Sequence, residues 1–171
     1  VSISKWLNKL GVKVEEVRTI PDQQDSIVKT INDVRKKFKY IFTTGGIGPT
    51  HDDITSKSMA KAFKLSYGYH KEAYKILEKY YGAKKFNEGR KKMAKLPGNA
   101  KLINNPSSIA PGFIVDNVYC LPGIPTILKS MLRELNNKIM GEKKILSKTI
   151  NLKVIESEIA LPLGKIQKKF N

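Results

Sequence analysis

The 171-residue chain is poor in the residues that carry redox, disulfide and zinc chemistry: it has one cysteine, two histidines and one tryptophan. A lone Cys120 cannot form an internal disulfide, and Cys120, His51 and His70 supply no spacing of zinc ligands. No apolar run approaches the roughly 18 to 20 residues that a membrane-spanning helix requires. A charged start followed by an apolar core and a small-residue cleavage site is also missing, so the sequence reads as a soluble product of a reducing, cytoplasmic compartment. Hydrophobic residues at 40% and charged residues at 27% match an ordinary globular domain and leave no room for wholesale disorder. The length suits one α/β domain, or one domain and part of another.

Negative charge is scarce as well. Against 15 acidic residues stand 32 basic ones, a formal charge of +17. Only Arg18, Arg35, Arg90 and Arg133 are arginines, whereas base-edge and bidentate phosphate recognition favour the guanidinium. The lysines are scattered in short pairs, as on solvated helix faces, and no DNA-binding motif accompanies them. The charge invites a nucleic-acid or membrane partner, but the scarcity of arginine and the missing motif weigh against nucleic acid, and the positive field attracts a phosphorylated small molecule.

Strands and helices alternate along the chain. Trp6, Leu7 and Leu10 have helical spacing closed by Gly11, and Val12, Val14 and Val17 suggest a strand. Ile27, Ile31, Val34 and Phe38 mark one helix face, and Tyr40 to Thr44 is a buried-type strand. Two helices are expected over Ile54 to Phe63 and Tyr69 to Tyr80. Short apolar runs at Leu102-Ile103, Phe113 to Val115 and Val118 to Leu121 lie among turns, and a helix opening at Pro125 carries Ile127, Leu128, Met131, Leu132, Leu135 and Ile139. Ile150, Leu152 and Val154 alternate as in a strand, followed by Ile159, Leu163, Ile166 and Phe170 at helical spacing with Ser157 as N-cap. This is the α/β pattern.

The segment Thr43 to Thr55 carries the chemistry. Glycines directly after a strand let the backbone turn tightly and bring its N–H groups to an anion, and the following helix N-terminus adds its dipole. The string is neither a GxGxxG nor a P-loop. Asp52 and Asp53 lie where carboxylates cap N–H groups or hold a divalent cation against phosphate. His51 reads as an exposed bystander, with a proton donor as the alternative, and His70 as a surface residue. Cys120 reads as core. The scarce Arg90, with Asn87, Lys91 and Lys92, suggests a phosphate or ribose clamp, with a surface ion pair as the plain alternative. The tyrosines around Tyr67 to Tyr81 read as packing residues.

The string Thr44-Gly45-Gly46-Ile47-Gly48-Pro49-Thr50-His51-Asp52-Asp53-Ile54-Thr55 resembles the molybdopterin-binding (MoaB/Mog-like) domain, and within it the CinA, or competence/damage-inducible protein A, branch. Three further motifs agree in order: Asn87, Arg90 and Lys92-Met93-Ala94 with Leu96-Pro97; Ala110-Pro111-Gly112-Phe113; and Leu121-Pro122-Gly123-Ile124-Pro125. The resemblance implies a three-layer α/β/α domain over residues 1–143 without the family's first strand, then the beginning of a small α+β domain over 144–171. It also implies metal-dependent pyrophosphate hydrolysis of ADP-ribose or a related dinucleotide, as is linked with the similar domain of eukaryotic FAD synthases. The alternative is a non-catalytic module that binds molybdopterin or a nucleotide. By the same resemblance Thr44, Gly45, Gly46, Gly48, Pro49, Thr50, Thr55, Arg90, Pro122 and Gly123 bind the ligand, Asp53 and Asp52 are catalytic and hold a divalent metal such as magnesium, and the protein self-associates as a homo-oligomer. The 171 residues hold nothing that resembles the carboxy-terminal amidohydrolase domain of longer CinA proteins, so nicotinamide-nucleotide deamidation is not expected of them, and Asn105 to Ile109 departs from the family's Gly/Thr stretch at one loop.

Overall fold

A computed structural model of the chain describes residues 2–141 and 148–170. The expected boundary between residues 143 and 144 lies outside the described residues. The amino-terminal helix α1 (Ser2–Lys9) ends in a glycine-terminated turn: Gly11 takes φ +76°, its N–H donates to the Asn8 carbonyl at 3.0 Å, and Val12 donates to Leu7 at 2.9 Å. Those two bonds satisfy carbonyls that the helix leaves open, and Leu7 and Val12 join the same apolar cluster.

Helix α2 (Gln24–Val34) buries Ile27, Ile31 and Val34, and strand β1 (Ile41–Thr44) follows. Next come α3 (Thr55–Phe63), β2 (Tyr67–Tyr69), α4 (Lys71–Tyr81), the short α5 (Glu88–Lys92) and β3 (Lys95–Pro97). Strands β4 (Lys101–Ile103), β5 (Gly112–Val115) and β6 (Val118–Leu121) lead into α6 (Pro125–Glu134), and α7 (Glu156–Gln167) lies near the carboxy terminus. The main sheet has the order β1-β6-β5-β4, with β1 parallel to β6 and the other neighbours antiparallel. Strands β2 and β3 form a separate antiparallel pair.

Alternation along the strands divides the core between the two faces of the sheet. Phe113, Val115, Val118 and Cys120 face Ile27 and Ile31 of α2, Met59 and Ala62 of α3, and Ala73 and Leu77 of α4. Tyr119, Leu121 and Ile103 face Leu7 of α1 and Leu128, Met131 and Leu132 of α6. Three layers result, as the resemblance implies. Cys120 is fully buried, and burial pushes its thiol up to about 12, so it is a packing residue. Asn117, at the β5–β6 turn, donates to the carbonyls of Arg35 and Phe38 at 3.0 and 2.7 Å and accepts from Ile41 N–H through its own carbonyl at 3.0 Å. One residue thus ties the end of α2 and the start of β1 to the hairpin.

Two expected strands do not form. Val12 and Val14 pack one face of an extended segment into the second cluster, but Val17 is 79% exposed and no ladder is made. The segment lies along a groove of about 1020 Å³ beside the outer edge of β1, which is unpaired among the described residues. Its charges are spent locally, with Arg18 bridging Glu16 and Asp33. Likewise Ile150, Leu152 and Val154 are exposed and unpaired, and the chain bends at Lys153 and Val154 instead of joining a sheet. Ser157 lies inside α7, whose N-cap position is Ile155. Tyr69 belongs to β2, and α4 starts two residues later because the His70 imidazole accepts the Ala73 N–H at 3.3 Å. His70 is therefore a helix cap and not merely a surface residue.

Candidate functional site

Because β1 and β6 are parallel and in register at Thr44 and Leu121, the two glycine loops leave the sheet side by side. Carboxyl ends of neighbouring parallel strands are where open α/β sheets place their ligands. In the first loop Gly45 and Gly46 adopt φ +92° and +68°, conformations that glycine reaches without penalty. Gly45 N–H closes onto the Leu121 carbonyl at 2.9 Å. Gly123, in the exposed second loop, comes so near Gly45 that a Cβ on it would stand 3.5 Å from the Gly45 Cα. Helix α6 begins immediately behind, with Pro125 in its first turn.

Thr55, the first residue of α3, is buried and pins the first loop from below. Its hydroxyl donates to the Gly45 carbonyl at 3.1 Å and its N–H to the Gly46 carbonyl at 2.8 Å. Both carbonyls thereby turn inward. Thr55 thus positions the loop that the resemblance assigns to the ligand. The N–H groups of Gly46 and Ile47 meet no acceptor among the described residues. Helices α3 and α6 follow the two loops and bring the positive ends of their dipoles to this end of the sheet.

Asp53 does not cap α3, whose N-cap position, Ile54, has no side-chain cap. It folds back onto the loop instead: its Oδ2 accepts the Thr50 N–H at 2.9 Å and the Thr50 hydroxyl at 2.6 Å, and it lies under Gly48, where a Cβ would meet Oδ2 at 2.7 Å. Partial burial pushes the Asp53 carboxyl up, but the Thr50 and Gly48 hydrogen bonds and the Lys92 charge outweigh it and hold the group below the ordinary aspartate value. Asp52 is exposed, and hydrogen bonding from the loop first, then the nearby Lys92 charge, holds its carboxyl below the ordinary value too.

A folded-state pKa below the ordinary value means that the ionised Asp53 contributes stability above about pH 4, which is lost as pH falls through the depressed value. The melting temperature of the native chain should therefore exceed that of an Asp53→Asn variant near neutral pH, and the gap should close in acid. Thermal melts followed by circular dichroism check this; a gap independent of pH would exclude the carboxylate as its source.

The resemblance also assigns a divalent cation to Asp52 and Asp53. Magnesium demands about six oxygen ligands in octahedral array. Asp53 engages Thr50 through Oδ2, Asp52 is exposed, and the Lys92 charge acts on both. Among the described residues no group of three or more His, Cys, Asp or Glu converges anywhere. Magnesium takes one or two of those oxygens from carboxylates and the rest from waters and substrate phosphates, so Asp52 and Asp53 are the residues that would hold such an ion against a bound phosphate.

Arg90 is placed differently from the expectation. Its guanidinium stacks 4.2 Å over the Tyr81 ring and donates to the Lys85 carbonyl, so it fastens α5 to the end of α4. What reaches the loop from α5 is Lys92, whose ammonium donates to the Thr50 carbonyl, and the backbone at Gly89, where a Cβ would lie 3.4 Å from the Pro49 carbonyl oxygen. The motif Asn87 to Ala94 held that information, but nothing in its spacing separates the lysine that reaches the loop from the arginine that does not. His51 is exposed, as expected.

A three-layer α/β domain with paired glycine loops at the ends of parallel strands is a small-molecule-binding architecture. Residues 2–141 match the family described as a probable molybdopterin binding domain, and the chain belongs to that family, in its CinA branch. A putative competence-damage inducible protein of Clostridium botulinum (strain Loch Maree / Type A3) is 34% identical over 170 residues, covering 92% of this chain and 41% of that protein. A CinA-like protein of Prochlorococcus marinus is 30% identical over 172 residues, with the same coverage. The crystal structure of the protein CinA, of unknown function, from Thermoplasma acidophilum superposes with a TM-score of 0.74 at 28% identity, covering 80% of this chain and 83% of that one. The chain spans about half the length of the curated relatives it matches, from 41% to 57%. Among the described residues no helix is long and apolar enough to cross a membrane.

Proposed function

We propose that the domain binds the phosphate-bearing part of a small molecule, a dinucleotide or a phosphorylated pterin, over the loop from Gly45 to Thr50. One observation carries this reading: the Gly46 and Ile47 N–H groups have no acceptor among the described residues and lie at the end of the sheet to which two helices bring their positive ends, where an anion is the natural partner. The excess of basic residues draws such an anion to the surface and predicts weaker binding at high salt. Titration calorimetry with inorganic pyrophosphate, ADP-ribose and FAD tests it. Saturable binding that weakens with added salt is expected; an absence of binding to all three overturns the reading.

A second reading, metal-dependent cleavage of the pyrophosphate bond in ADP-ribose or a related dinucleotide, is favoured by Asp52, an exposed carboxylate kept ionised at the loop. Its signature is AMP released only when magnesium is added and lost in Asp52→Asn. Asp53→Asn is the poorer control, since removing that carboxylate also loosens Thr50 and Gly48.

A further inference from the structure

Four polar or basic residues of the α5 segment, Asn87, Arg90, Lys91 and Lys92, are candidates to clamp an anion, and the structure separates them. The Asn87 side chain caps its own helix by accepting the Arg90 N–H at 3.1 Å. Arg90 is held by Tyr81 and the Lys85 carbonyl, and Lys91 pairs with Glu88 at 2.7 Å. Lys92 alone turns its charge to the glycine loop, 42 positions earlier in the chain, where it meets the neutral Thr50 carbonyl.

We propose that Lys92 is the phosphate-recognising cation of this site, with its ammonium anchored on the Thr50 carbonyl and its remaining donors available to the ligand's phosphate oxygens. The proposal rests on the phosphate-binding reading above. An ammonium has three donors, and the Thr50 carbonyl engages one. Thr50 is fixed from the other side by Asp53, so the lysine and the loop's free N–H groups belong to one braced unit. The close approach of Gly89 to Pro49 holds α5 against that unit. A positive side chain also occupies the neighbourhood in which a divalent cation was expected, near both Asp52 and Asp53. The ligand class that follows is a di- or polyphosphate, whose charge exceeds what two backbone N–H groups neutralise.

The test is titration calorimetry of inorganic pyrophosphate and of ADP-ribose into the native chain, Lys92→Met and Lys92→Arg over a range of salt concentrations, beside thermal melts without ligand. Lys92→Met should bind both probes on the order of 10- to 100-fold more weakly and with a flatter salt dependence, while its melting temperature stays within a few degrees of native. Lys92→Arg should recover most of the affinity, because charge and donors are kept. If Lys92→Met does not fold, Lys92→Gln reads the same loss of charge. Native binding with unchanged affinity and salt slope in the neutral variants overturns the role of Lys92 alone. Failure of the native chain to bind either probe removes the phosphate-binding reading, and Lys92's role with it.

Discussion

Replacing Gly46 with alanine is expected to destabilise the domain by about 2–4 kcal/mol and to remove pyrophosphate binding. Two costs add. The residue sits at φ +68°, where an L side chain pays about 1–2 kcal/mol. The new Cβ would also stand 2.1 Å from the Thr55 hydroxyl oxygen and 3.0 Å from its Cβ, and Thr55 has no room to yield because it is buried at the start of α3. Either the loop lifts off Thr55 or α3 moves away from the sheet. The first breaks the bonds that turn the Gly45 and Gly46 carbonyls inward, and with them the outward set of the N–H groups. Gly45→Ala provides the comparison: its φ is also positive but nothing lies within 4 Å of its Cβ, so it bears the conformational cost alone. Chemical denaturation and calorimetry on the two variants check this, and equal losses at both positions would show that Thr55 does not brace the loop.

The loop was legible because its signal is local. An apolar strand followed directly by glycines can do little except turn, and the parallel arrangement of β1 and β6 then delivers Gly123 beside Gly45. The roles of Asp53 and Thr55 were not legible. Both have the chemistry of ligand contacts, and only the fold shows that Asp53 Oδ2 and the Thr55 hydroxyl brace the loop itself. The pair β2 and β3 was missed for a similar reason: Tyr67-Gly68-Tyr69 and Lys95-Leu96-Pro97 are three residues each, contain Gly and Pro, and find each other across more than twenty residues. Conversely, Val12 to Val17 and Ile150 to Val154 have the alternation of strands but pair with no edge among the described residues. Period two reports which side chains can share a face; the ladder depends on a partner that the local sequence does not contain.

Phe113→Ala should cost about 3–5 kcal/mol, lowering the melting temperature by roughly 6–20 °C for a domain of this length, without altering affinity for pyrophosphate while the chain remains folded. Phe113 is fully buried in β5, paired with Leu102 on one side and Cys120 on the other, and faces the cluster that joins α2, α3 and α4 to the sheet. Its removal leaves a ring-sized void in a layer where neighbours are fixed by strand pairing and collapse poorly. Its predecessor Gly112 shows how tight the opposite face is: a Cβ there would meet the Cys120 carbonyl oxygen at 2.6 Å and the Met131 Cε at 2.7 Å, so a side chain would push α6 off the sheet. The Ala110-Pro111-Gly112-Phe113 motif is thus a packing motif, with the small residue admitting α6 and the large one filling the space under α3 and α4. The Gly46 and Phe113 variants consequently separate the two demands on the sequence: one should lose binding along with stability, the other stability alone. A Phe113→Ala chain that keeps its melting temperature, or loses pyrophosphate affinity at temperatures where it is folded, would show that core and site are not independent.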